Sequence, residues 1–198
     1  MQKVKVGKLS RSLGIALTAK AGKYLERRPY PPGQHGKNKR RTQSDYGKQL
    51  LEKQRLRAQY NIREKQLRNY FDEAYNAKGS TGINLLQLLE SRLDVMVLRA
   101  GFAPTIYSAR QMINHRHIIV DGKFETKPGF RVPVGSTINP SPKALKHPLI
   151  ASTFASAVRP EFVAANLETL SVSRQRLPER LEIPVICNEQ MVVEFYSR

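Results

Sequence analysis

Residues 110–123 hold the side chains best suited to chemistry: Arg110, Gln111, His115, Arg116, His117 and Lys123. Two imidazoles at i and i+2 could share a metal from one side of a strand, but no Asp, Glu or Cys with ligand spacing joins them. Imidazoles interleaved with cations suit phosphate and base contacts instead. No other catalytic set competes for attention. The chain lacks a GxxxxGK[ST] loop, a GxGxxG run after a strand and an HExxH helix. Its 16 acids are scattered, with no pair placed as an acid–base couple. Cys187 is the sole cysteine and lies in an apolar run, so it is expected to be buried and inert, and it can form no internal disulfide. Enzymatic activity therefore has no positive support, and neither a cofactor nor a metal is expected.

The charge names the kind of partner. The 198 residues carry a net charge of +18, far more than solubility requires. Such an excess points to a polyanion, nucleic acid before a membrane surface. It is unevenly spread: residues 1–41 hold twelve Lys and Arg against Glu26 alone, whereas residues 141–198 hold seven against six acids. No apolar run is long enough to span a bilayer, and GIALTA is too short for a signal-peptide core. One thiol and no such segment suit a reducing, cytoplasmic setting.

Several elements must position these residues. Residues 1–43 read as a basic extended arm, because Pro29, Pro31 and Pro32 exclude helix there and few apolar residues are present to bury. Lys3, Lys8, Arg11, Lys20, Lys23, Arg27 and Arg28 are its candidate phosphate contacts, with Tyr30 and His35 as faces for unpaired bases. A partner is expected to order it. Gly33-Gln34-His35-Gly36 matches a GXXG clamp only in letters, since the prolines deny it flanking helices. Ser44 or Asp45 caps a helix to about residue 60, and Asn61 with Glu64 reads as a capping box for a second. Leu67, Tyr70, Phe71 and Ala74 form the apolar stripe of that second helix. A third spans about 82–91. These three make a small helical domain over 44–90, completed by residues 174–198, and they expose Lys48, Arg55, Arg63 and Arg68. Arg92 opens the next module, residues 91–152. There a buried helix ends at Gly101, and Thr105 caps another to about 115. Asp121-Gly122 then turns a hairpin, and 130–132 and 137–138 add strand. Residues 139–148 read as a linker, 149–158 as a helix and 153–173 as a connecting segment. Asn188 can cap a final short helix through Phe195, although Val192-Val193 also suits a strand; either way this apolar end is expected to dock on the core. The fold class is α+β: a helical domain, two helices with a small antiparallel sheet, and the basic arm.

SRLDVMVLRAGFAPTIYSARQMINHRHIIVDGK closely resembles the RNA-binding domain of the S-four family of small-subunit ribosomal proteins. YPPGQHG, SDYGKQLLEKQRLR, REKQLRNYF, TGINLLQLLESRLD and NEQMVVEFYSR resemble the bacterial members of that family outside the domain. The match weakens between about 143 and 173. The resemblance implies a structural protein that binds small-subunit ribosomal RNA at a helical junction of its 5′ domain and nucleates assembly. It also implies contact with small-subunit protein number five, linked to decoding accuracy. Lys37, Lys39, Arg40 and Arg41 would lie by the channel through which mRNA enters. Some members bind zinc through four cysteines in the arm; this arm has none, so a zinc-free variant is expected. RNA-modifying enzymes and a ribosome-rescue binder carry similar RNA-binding domains. The former need a catalytic domain for which this chain has neither length nor motifs, and the latter lacks the helical domain.

Overall fold

The computed structural model describes residues 5–37, 44–146 and 148–198. In chain order the helices are α1 (Val6–Leu13), α2 (Ala19–Arg27), α3 (Asp45–Gln59), α4 (Glu64–Asn76), α5 (Thr81–Glu90), α6 (Leu93–Ala100), α7 (Ile106–Asn114), α8 (Pro142–Leu145), α9 (Pro148–Ser156) and α10 (Glu189–Tyr196). The strands are β1 (Ile118–Val120), β2 (Lys123–Phe124), β3 (Thr137–Pro140), β4 (Val163–Asn166) and β5 (Ser171–Arg174). Among the described residues no helix is long and apolar enough to cross a membrane. The chain divides into two compact units, Met1–Arg68 with Val185–Arg198, and Asn69–Pro184.

The first unit corrects the reading of the arm as extended. Its prolines govern only the turns after α2. Before them, Val6, Leu9 and Leu13 share one helical face, Gly14 closes α1, and Thr18 caps α2 by accepting from the Ala21 amide. Leu13, Ile15 and Ala21 are buried as α1 packs on α2 and α3. A strong charge excess hid an amphipathic pattern. Ser44 caps α3 as expected, accepting from the Gly47 amide. Asn61 does not cap α4. It takes a left-handed φ of 49° and terminates α3, with its amide on the Ala58 carbonyl and that of Ile62 on Arg57. Asn tolerates this conformation better than most residues. Glu64 is thereby released from a capping role. It accepts from Lys53 Nζ and from the Tyr196 hydroxyl, each at 2.7 Å. These bonds fasten α3 to α10, which lies against it.

In the second unit, α6 and α7 cover a five-stranded antiparallel sheet of order β2-β1-β3-β5-β4. Leu93, Met96 and Val97 of α6 and Ala109 and Ile113 of α7 meet Ile118, Ile138 and Val172 in one core. The Asp121-Gly122 turn has φ of 46° and 79°, the positive pair that a two-residue hairpin needs. Residues 130–132, expected as a sheet strand, bond instead to the chain before α6: the Val132 amide to the Ser91 carbonyl and the Leu93 amide to Phe130, both 2.8 Å. The segment 153–173 is no mere connection, because β4 and most of β5 lie in it and extend the sheet. Its strand signal is weak in sequence: VAAN and SVSR offer one strongly apolar side chain each. Within the expected linker, β3 runs to Pro140 and Ser141 caps α8.

Candidate nucleic-acid interface

The two units each present cations, and in each the predicted residues separate into exposed ones and ones that hold the fold. In the first unit Lys8, Lys20, Lys23, Arg27, Arg28, His35, Lys37, Lys48, Arg63 and Arg68 are exposed. Lys48 pairs with Asp45 at 3.0 Å, a surface pair that water screens. Two other candidates are diverted inward. Arg11 Nε donates to the carbonyls of Arg28 and Tyr30 at 3.2 and 3.1 Å, and its Nη2 to that of Pro31 at 3.2 Å. Arg55 donates to the Leu13 carbonyl at 2.9 Å and pairs with Glu52 at 2.6 Å. In both, two guanidinium nitrogens are engaged, Arg11 with three chain carbonyls and Arg55 with one carbonyl and a carboxylate, which turns them toward anchoring the arm and away from the phosphate contacts expected of them. Tyr30 changes role as well. It is half-buried, with the Arg11 guanidinium 4.9 Å and Lys37 Nζ 5.5 Å from its ring centre, which is cation–π geometry and not an open platform for a base. The PPGQHG turn depends on Gly36, where a Cβ would lie 2.0 Å from the Pro31 carbonyl oxygen. Lys3, Lys39, Arg40 and Arg41 lie outside the described residues.

In the second unit the chief correction is Arg92. It is 2% exposed, and its guanidinium makes a fork with Asp94, Nε to one oxygen at 3.0 Å and Nη2 to the other at 2.8 Å. Its Nη1 donates to the Tyr70 hydroxyl at 3.0 Å. Burial acts to lower the Arg92 pKa, but the hydrogen bond and charge of Asp94 outweigh it and the net shift is upward. A guanidinium so held cannot turn to a phosphate. Asp94 itself is fully buried and also accepts from Arg110 Nε at 2.7 Å and from the Val95 amide at 3.0 Å. Arg110 is thus partly buried and oriented by a fixed carboxylate. The RLD tripeptide is the sequence signal for this cluster, but a separation of sixteen residues hides the pairing of its Asp with Arg110 on α7.

Beyond Arg110 the chain rises to the surface. Gln111, His115 and Arg116 are exposed, His117 is half-buried and Lys123 is exposed on the hairpin beside an exposed Phe124. The end of α7 aims them. Arg116 has a left-handed φ of 58°, its amide bonds to the Ile113 carbonyl and that of His117 to Met112. This doubly bonded closure usually places glycine where Arg116 stands. It brings the rings of His115 and His117 parallel within 13°, their centres 6.1 Å apart. Lys143 of α8 lines the same hollow as both histidines, a long-range approach with no sequence signal. Cys187 is half-buried, not buried.

Residues 2–90 match the family described as Ribosomal protein S4/S9 N-terminal domain, and residues 91–138 match the S4 domain. A protein of Micrococcus luteus named small ribosomal subunit protein uS4 is 54% identical over 195 residues, 96% of this chain and 94% of its own length. Proteins of the same name from Beutenbergia cavernae and an Arthrobacter species are 51% and 50% identical, covering 96% and 98% of this chain and 95% and 96% of their own. Two adjoining family matches in order, with relatives aligned nearly end to end, mean that this chain belongs to the ribosomal protein S4 family.

Proposed function

We propose that this chain is a structural, RNA-binding constituent of the small ribosomal subunit and not an enzyme. One observation carries the reading: the rigid end of α7 and the β1–β2 hairpin display Gln111, His115, Arg116 and Lys123 outward, in a chain that matches small-subunit relatives along its length. A-form RNA hides its base edges, so a protein reads it through phosphates, 2′-hydroxyls and unpaired bases. Cations fixed on a short helix and hairpin do this at little cost in ordering. The exposed lysines and arginines of α1 and α2 add phosphate neutralisation.

The finer reading follows the family. The RNA is the 5′ domain of small-subunit ribosomal RNA, and early binding there nucleates assembly in the cytoplasm. Lys37, Lys39, Arg40 and Arg41 lie near the channel through which mRNA enters. Small-subunit protein number five is the protein partner, with a consequence for decoding accuracy. Support for a protein partner comes from charge: residues 141–198 are nearly neutral, and within them Val158, Leu167 and Leu181 are strongly exposed. Exposed apolar side chains in a stretch of little net charge suit a protein partner better than RNA.

Footprinting of the purified chain on small-subunit ribosomal RNA, combined with affinity against salt, tests this. Protections should concentrate in the 5′ domain. Arg116→Ala and Lys123→Ala should each flatten the slope of log K against log salt by about one counterion. Protections spread evenly over unrelated RNA would refute the assignment.

A further inference from the structure

The second unit contains a groove of about 470 Å³ that phosphate recognition leaves unexplained. Buried Phe102 and Ile150 and half-buried Met112 make its apolar floor and wall. Exposed Gln111, His115 and Lys143 stand on its rim, and His117 lines it beside His115. Its volume falls in the range of about 300–1,000 Å³ typical of small-ligand pockets. A surface meant only for phosphates needs no such hollow.

From these features we infer that the groove receives one unstacked base of the bound RNA. The inference rests on the RNA-binding reading and adds the subsite within it. Three properties favour a base over other occupants. The near-parallel imidazoles of His115 and His117 offer flat π faces, and the Met112 thioether is polarisable. Gln111 supplies an amide that can both donate to and accept from a base edge. Lys143, with Arg116 next in sequence to both histidines, matches the charge of the sugar-phosphate that carries the base. The backbone conformation is consistent with a functional constraint. Arg116, between the two histidines, takes a left-handed conformation that glycine would adopt more easily, and the two rings lie side by side on either side of it.

The test uses the full chain and small-subunit ribosomal RNA. Ser108→Phe fills the groove from α7, and His115→Ala/His117→Ala removes the stacking faces. Affinity is measured across a salt series, and dimethyl sulfate (adenine, cytosine) together with a carbodiimide (guanine, uracil) reports which unpaired bases become protected. Each variant should bind about 5- to 150-fold more weakly, the range for loss of one stacked base. The salt slope should not change, and a base protected by the parent chain should become reactive again. Unchanged affinity and protection would overturn the assignment. So would a loss of affinity with a flattened salt slope, which would make the groove a phosphate site, or one that leaves every base protected. If Ser108→Phe does not fold, the histidine pair decides. Failure of the parent chain to bind this RNA would instead sink the RNA-binding reading itself.

Discussion

Replacing Asp94 by Ala should be among the most damaging single changes in the second unit. Asp94 is fully buried and accepts two bonds from Arg92, one from Arg110 and one from the Val95 amide. Its removal leaves the Arg92 guanidinium in the core, bonded to the Tyr70 hydroxyl but without a counter-charge, and the Arg92 side chain is only 3% exposed. Breaking a buried pair on one side costs about 3–5 kcal/mol, because the surviving charge has lost its hydration and its partner. The loss should be local to the elements this cluster joins. Hydrogen exchange followed by mass spectrometry should therefore show α6 and α7 opening more easily by that amount, with α3 and α10 little changed. The double variant Asp94→Leu/Arg92→Met should recover part of the loss, since an apolar pair leaves no stranded charge. A cost for Asp94→Ala below about 1 kcal/mol, or a double variant as damaging as the two single changes added together, would refute the reasoning.

Other outcomes can be checked separately. Arg116→Gly removes a left-handed strain of about 1–2 kcal/mol and adds a glycine entropy cost of about 0.5–1, so stability should hold or rise slightly while RNA affinity falls; a lower melting temperature would mean that the Arg116 side chain holds the fold. Tyr196→Phe deletes the hydroxyl bonded to Glu64 at 2.7 Å and should cost the first unit about 1–3 kcal/mol in urea unfolding. The Glu73 carboxyl is held below its usual pKa, chiefly by hydrogen bonds from Arg131. Its contribution is therefore present above the unfolded carboxylate range and lost as pH falls through the lower folded value. Parent and Glu73→Gln should differ by about 0.2–1 kcal/mol at pH 7, given how exposed the pair is, and converge in acid.

Local features were legible wherever the code is local. Ser44, Thr105 and Asn188 cap the helices expected of them, because a cap needs only its own side chain and an amide three residues on. Gly101 and the Asp121-Gly122 turn were readable for the same reason, since few residues accept a positive φ. Asn61 shows the limit. Asn is favoured both before a helix and after one, and the choice was made by Lys53 and Tyr196, which draw Glu64 to α10.

The sequence by itself determined the large positive charge that suits a polyanion, the α+β class and, through its motifs, the family. Charge, composition and local turn chemistry carry that information without a fold. Only the tertiary structure decided which cations are available. Arg11, Arg55 and Arg92 look like Arg116 and Lys123 in a string of letters, yet three serve carbonyls or a buried carboxylate and two face solvent. The physical reason is desolvation. A guanidinium taken from water must find acceptors within the fold, and those acceptors come from residues distant in sequence. The same holds for Lys143 and the histidines, which share a groove only because α7, α8 and α9 pack around it.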